Sequence, residues 1–299
     1  MPDAVAAPFD PGLDGDPELT GRLAALDSRL TELGSVLVAF SGGADSAFLL
    51  TAATRVLGPE RVVAATAMSD SLPAAELAAA RHFAADIGVR HVTPKTREMD
   101  RAGYRANAGD RCYFCKAELA EVLTPLAADL GLDWVATGTN ADDAVAGFRP
   151  GIRAAAERGA VTPLLDARLT KADIREVSRE WGLSTWDKPA AACLASRIAY
   201  GIEVTPARLS RVERAEVSLR GLLAAYDVDV TDLRVRDLGG RARIELDSAA
   251  LARVSGDAVL DEASVGAVCE AGFDAGFVDP TGFRSGAMND LLTDPERYR

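Results

Sequence analysis

The chain has 299 residues, enough for one or two domains. Apolar residues make up 48%, enough for a sizeable core, and no run approaches the ~18–20 apolar residues of a membrane-spanning helix. The formal net charge of −12, from 33 basic and 45 acidic residues, argues against a broad nucleic-acid face, which works by displacing counterions.

The first residues, "MPDAVAAPFDPGLDGDP", carry acids and prolines but no basic n-region. They read as a disordered tail over 1–18 rather than an export signal, and the expected compartment is the cytoplasm. "VLVAF" (36–40) is a continuous apolar run, as in a strand buried on both faces. It runs into "SGGADS" and the helical "AFLLTAATRVL" (47–57). "RVVAATAM" (61–68) is a second strand, and "PAAELAAARHFAADIG" (73–88) a helix opened by proline and stopped by glycine. "VRHVTPK" (89–95) is a third strand, and "KAELAEVLTPLAADLG" (116–131) a helix with Pro125 as a bending point. "WVATGTN" (134–140) is a fourth strand, and "KADIREVSREWG" (171–182) a helix capped by Thr170. Strands alternating with helices give an α/β fold: a Rossmann-like parallel sheet with helices on both faces, over 19–198.

The pattern then changes. Residues 199–299 read as a smaller C-terminal α+β domain. It has a long amphipathic helix (205–226), a hairpin over 233–246 turned at "DLGG", a helix near 261–271 and a last strand near "GFVDP".

The first chemical motif is "FSGGADS" (40–46), where a buried strand meets a helix. Gly42 and Gly43 allow a tight backbone and close approach of a ligand. The helix-start amides favour an anion, and Ser41 and Ser46 add hydroxyl donors. Asp45 suits a phosphate site when a divalent cation bridges the two. The plain alternative is a strand–helix turn of small residues. The motif is neither a Walker A loop nor a dinucleotide fingerprint. It resembles the PP-loop of the ATP pyrophosphatases, which implies that ATP is attacked at its α-phosphate and pyrophosphate leaves. "ATGTNADD" (136–143) resembles the second nucleotide element of that superfamily, which implies roles for Gly138, Thr139, Asn140 and Asp143. Asp142 and Asp143 suit Mg2+ and, equally well, a helix cap and first-turn acid.

Four cysteines in a reducing compartment read as ligands, reactive thiols or core residues rather than disulfides. Cys112 and Cys115 form a C-x-x-C in "RCYFCK", and Cys193 lies in "DKPAAACLASRI" between Lys188 and Arg197. Cations so placed lower a thiol's pKa and hold anions. Cys269 sits in an apolar helical stretch and reads as structural. Zinc would lack a fourth ligand, whereas a 4Fe-4S cluster can be held by three thiolates, with one iron left open. Unrelated surface thiols are the plain alternative. The two histidines, His82 and His91, fit no zinc spacing, and both read as structural.

"SGGADS", "RCYFCK", "CLASRI", "RVERAE", "LRVRDLGGRARIE" and "GFVDPTGFRSGAMN" together resemble the LarE family over about 32–289. These are ATP-dependent sulfur transferases of nickel-pincer nucleotide biosynthesis, which serves lactate racemase. The resemblance implies that a carboxylate of pyridinium-3,5-biscarboxylic acid mononucleotide is adenylated and then converted to a thiocarboxylate. In one branch of the family the cysteine matching Cys193 is itself the sulfur donor and becomes dehydroalanine. That branch lacks the C-x-x-C. In the other branch, three cysteines hold a 4Fe-4S cluster, and Cys112, Cys115 and Cys193 match them. Arg234 and Arg236 alternate on one strand face and match phosphate contacts of the substrate nucleotide, against a solvated strand face as the plain alternative. Arg197 and Glu216 match residues near the reactive cysteine. Cys269 departs from the aliphatic residue expected there. The expected cofactors are ATP, Mg2+ and the cluster; the expected partner is the small nucleotide substrate, with no membrane and no nucleic acid, in a homo-oligomer. The rivals are a PP-loop tRNA thiolase, opposed by the acidic chain, and a non-catalytic nucleotide sensor, which has no use for the cysteine motifs.

Overall fold

The structure, a computed structural model, describes residues 16–145, 150–189, 192–284 and 286–291. Residues 1–15 of the expected tail lie outside the described residues, and Asp16–Glu18 begin a helix. This helix, α1 (Pro17–Leu33), buries Leu19, Leu23, Leu26, Leu30 and Leu33, a stripe at helical spacing. Asp16 caps it by accepting from Glu18 N at 2.8 Å.

Four strands form a parallel sheet in the order β3-β2-β1-β4: β1 (Val36–Ala39), β2 (Val62–Ala65), β3 (Arg90–Val92) and β4 (Trp134–Thr137). The register sets Val38 of β1 between Ala64 and Ala136. Helix α2 (Ala44–Leu57) follows β1 and α3 (Ala74–Asp86) follows β2. Next come the short α4 (Ala102–Arg105) and the long α5 (Arg111–Asp129). Past β4 are α6 (Ala141–Val145), α7 (Pro150–Ala156), α8 (Pro163–Asp166) and α9 (Lys171–Glu180). One core packs α1, α2 and α9 against one side of the sheet. Leu123 and Ala127 of α5 pack with Leu37, Val63 and Val135 on the other. The α/β expectation holds, with helices on both faces.

The second half carries α10 (Pro206–Ala225), β5 (Leu233–Asp237), β6 (Arg241–Leu246), α11 (Ser248–Ser255), α12 (Ala258–Glu270) and β7 (Ala275–Val278). The strand order is β5-β6-β7, with the first pair antiparallel and the second parallel. Their core also takes in Tyr104, Leu194, Ala195 and Ile198 from earlier in the chain. Ile198 forms a bridge to Asp237, so the stretch after Cys193 is tied to β5. Among the described residues, no helix is long and apolar enough to cross a membrane.

Several elements differ from the sequence expectation. Helices α1, α4, α6, α7, α8 and α11 are additional to it, and α5 starts at Arg111 rather than Lys116. The cysteine motif therefore lies in the first turn and a half of a helix.

Asp237 pins the hairpin to α10. Its buried carboxylate accepts from Arg208 (2.8 Å), Arg211 (2.6 Å), Gly239 N (2.9 Å) and Gly240 N (3.1 Å). Burial alone would raise its pKa, but the two arginines and the turn amides hold it below the usual carboxylate range. A depressed folded pKa gives stability that is present above the unfolded value and lost as pH falls through the folded one. Asp237→Ala should cost about 3–5 kcal/mol, the cost of breaking a buried pair. Urea titration at neutral pH checks it, and the gap between the two proteins should shrink in acid.

Candidate active site

The sheet order places β2 and β4 on opposite sides of β1. Such a reversal opens a crevice at the carboxyl ends of the strands. The loop after β1 enters that crevice. Gly42 has φ +73°, a left-handed conformation that favours glycine. Ser41 Oγ lies 3.1 Å from Ser46 Oγ, which donates to Gly43 O at 3.1 Å. Gly43 stands at the N-cap of α2 with no side-chain cap, so its first amides are available to an anion.

The loop after β4 closes on the same place. A Cβ on Gly138 would stand 2.9 Å from Ser46 N, so glycine is required for the two loops to meet. Thr139 Oγ1 lies 3.1 Å from Thr137 Oγ1. Asn140 and Asp143 cap each other: Asp143 N donates to Asn140 Oδ1 at 3.1 Å, and Asn140 N donates to Asp143 Oδ2 at 3.4 Å. Asp143 also pairs with Lys171 at 3.0 Å, and Asp142 accepts from Lys171 N at 2.7 Å. Burial first, and then the charge of Asp143, push the Asp45 carboxyl above its usual range. Two acids in one neighbourhood favour a divalent cation between them.

Lys188 departs from the sequence expectation, which sets it beside Cys193 as a cation for the thiol. Instead its ammonium donates to Gly42 O at 2.9 Å and pairs with Glu76 at 2.7 Å. It braces the glycine loop.

A cavity of about 360 Å³ has both Ser41 of this loop and Cys112, Cys115 and Cys193 in its wall. Cys112 and Cys115 stand three apart on α5 and so share a face. Cys112 is exposed, while Cys115 and Cys193 are half-buried against the second core. Burial pushes the Cys115 thiol up to about 12, helped by Cys193 nearby. Tyr104, in the same wall, has a buried hydroxyl beside Ser71; burial and Cys193 raise its pKa. Among the described residues, no set of three His, Cys, Asp or Glu side chains is gathered as a metal-holding group. Cys269 lies on α12 and His82 on α3, away from this wall, and His91 bonds to Thr66 at 2.8 Å.

Arg197 shapes the loop that carries Cys193. Its guanidinium, in a residue 4% exposed, bonds to the carbonyls of Ala192 and Cys193 (2.9 Å for the latter). Glu216 on α10 pairs with it at 3.0 Å and accepts from Val235 N at 3.1 Å. Arg197 therefore orients backbone, and Glu216 orients Arg197.

A second cavity of about 330 Å³ is lined by Arg234, Arg236, Ser196, Tyr200 and Phe283, and shares Arg111 and Ala192 with the first. Arg234 and Arg236 lie on a strand buried throughout, not on a solvated face. Arg236 pairs with buried Glu245 at 2.7 Å, and Arg234 lies 3.9 Å from Asp232 and 5.2 Å from the Phe283 ring. Burial and the charge of Arg197 lower the Arg234 pKa. An anion in this cavity would offset both.

Comparison with known proteins gives the chain its relatives. No family model matches the chain. An uncharacterised protein of Synechocystis sp. is 42% identical over 275 residues, 92% of this chain and 99% of that one. A pyridinium-3,5-bisthiocarboxylic acid mononucleotide synthase of Lactiplantibacillus plantarum is 33% identical over 275 residues, 92% of this chain and 96% of that protein. The chain belongs to the LarE family. An uncharacterised protein of Methanocaldococcus jannaschii matches over less, at 33% identity over 141 residues, 47% of this chain and 52% of that one.

Within this LarE-family chain, sequence reasoning missed Arg111, Tyr104 and the bracing role of Lys188. Arg111 was visible in "RCYFCK" as an arginine opening an apolar helix, a position where a charge is unusual if the helix end is buried.

The thiols should differ in reactivity. At about pH 8 a thiol of pKa near 12 is protonated and unreactive, and it gains thiolate only as pH climbs toward that value. Iron-free protein pulsed with iodoacetamide should label at Cys112 well before Cys115. Peptide mass spectrometry reads the order; equal rates would refute the shielding of Cys115.

Proposed function

We propose that this chain is an ATP-dependent sulfur transferase acting on pyridinium-3,5-biscarboxylic acid mononucleotide. The observation that carries the reading is the chamber whose wall includes both Ser41 of the glycine loop and the three cysteines. The Lactiplantibacillus relative, a synthase of the bisthiocarboxylic nucleotide, supplies the substrate. Residues 19–198 form the PP-loop domain and 199–299 the smaller domain, in a cytoplasmic homo-oligomer.

ATP lies with its β- and γ-phosphates on Ser41, Gly42, Gly43 and Ser46 at the start of α2. Asp45 and Asp143 would hold Mg2+, which would neutralise phosphate charge there, and Gly138, Thr139 and Asn140 complete the nucleotide site. Arg234 and Arg236 hold the substrate phosphate in the second cavity. A substrate carboxylate oxygen attacks the α-phosphorus; the bond to pyrophosphate breaks and an acyl-adenylate forms. A sulfur nucleophile then attacks the acyl carbon, AMP leaves, and a thiocarboxylate remains. A second round gives the bis-thiocarboxylate. Arg197, oriented by Glu216, fixes the backbone that carries Cys193.

The thiols support two readings of the sulfur source. Cys112, Cys115 and Cys193 suit a 4Fe-4S cluster by count and by their common chamber, and would be its ligands. Bound there, the cluster supplies an open iron for an exogenous sulfide. A second reading is favoured by one observation, that these thiols are not drawn together as a metal-holding set. In it, Cys193 gives up its own sulfur and becomes dehydroalanine.

Incubation with ATP and the substrate nucleotide should release AMP and pyrophosphate, with Asp45→Ala losing most activity. Release of ADP and orthophosphate would sink the assignment. Cys112→Ala, Cys115→Ala and Cys193→Ala should each abolish iron binding in anaerobic reconstitution, while Cys269→Ala spares it. Colourless protein, one turnover and a Cys193 lighter by roughly 34 Da, the mass of hydrogen sulfide, would select the second reading.

A further inference from the structure

We propose that Arg111 holds a carboxylate of the substrate nucleotide where the two cavities meet. The proposal rests on the function proposed above and adds a specificity determinant to it.

Arg111 opens α5 and is 4% exposed, yet it lines both cavities. Its Nη1 donates to Asn107 Oδ1 at 2.5 Å and to Ala195 O at 2.9 Å. Asn107, fully buried, donates in turn to the carbonyls of Ala199 and Ile202, both at 2.9 Å. The guanidinium is therefore fixed by neutral groups, with the Tyr200 ring 5.6 Å from it. Among the described residues no carboxylate pairs with it, and neither Nε nor Nη2 bonds to protein.

Its neighbours are different. Arg197 has Glu216, Arg236 and Arg243 have Glu245, and Arg234 has Asp232. The nearest titratable neighbours of Arg111 are the Cys193 and Cys112 thiols, which make no hydrogen bond to the guanidinium; a buried cation with no carboxylate partner is costly, so the missing anion is expected from a ligand. The substrate carries its phosphate at one end and its ring carboxylates at the other. With the phosphate on Arg234 and Arg236, a carboxylate reaching toward the thiols meets Arg111. A guanidinium fork matches a carboxylate in two parallel hydrogen bonds. A carboxamide would set N–H against N–H and be rejected.

The test is calorimetric binding to the iron-free full-length chain without ATP. The ligands are the 3,5-biscarboxylate mononucleotide and its 3,5-dicarboxamide counterpart. The wild type should prefer the acid by about tenfold or more. Arg111→Lys and Arg111→Gln should weaken acid binding about 10–100-fold, the range for one charge-assisted pair, and leave amide binding within about twofold. Thermal melts of both variants confirm folding. An unchanged acid-to-amide ratio in the variants overturns the proposal, whatever happens to overall affinity; Arg111 would then serve the protein scaffold or the cysteine thiolates. A wild type that binds acid and amide equally also overturns it. A wild type that binds neither ligand defeats the proposed function itself, a result seen before any variant is made.

Discussion

The buried pair between Arg197 and Glu216 joins the two halves of the molecule. One partner grips the carbonyls at Ala192 and Cys193; the other sits on α10 and takes the amide of Val235 in β5. Every bond is between charged and polar groups withdrawn from water, where each is stronger than at the surface and where losing one strands the rest. The position of Cys193 relative to α5 follows from this arrangement. So does the position of the Arg234 and Arg236 strand relative to the chamber. A cysteine-lined wall assembled from a helix and a distant loop needs such a fixed point, because neither segment reaches the other through local structure.

The parallel sheet and its glycine loop could be read from sequence because their signals are local. A run of apolar residues, a glycine pair and a helix start follow within about ten positions. The leucine stripe of α1 is equally local, at Leu19, Leu23, Leu26, Leu30 and Leu33, but it stands directly behind a tail of acids and prolines that masks its start. The start of α5 is hidden for a different reason. Its first turn, Arg111–Phe114, faces chambers and neighbouring side chains rather than one core, so it shows no apolar period.

The site itself is visible in the sequence as residue types and not as partnerships. The cysteines, Arg197 and Glu216 can be picked out by motif. That Lys188 reaches back to Gly42 across 146 positions, or that Glu245 answers Arg236 across the hairpin, depends on tertiary contact. The strand of Arg234 and Arg236 alternates as a half-solvated strand would, yet it is buried on both sides. Its arginines tolerate that only because acids lie within reach on the neighbouring strand and loop.

The brace formed by Lys188 joins the glycine loop to the segment that leads, five residues on, to Cys193. A phosphate settling on the loop changes the field and the geometry around Gly42 O, and the lysine is the group that feels it. Linkage makes the effect mutual: whatever factor an anion on the loop imposes on the arrangement of the thiol segment, that segment imposes on the anion in return. A fold built this way makes the order of the loop around Gly42 and the order of the segment leading to Cys193 two readings of one contact.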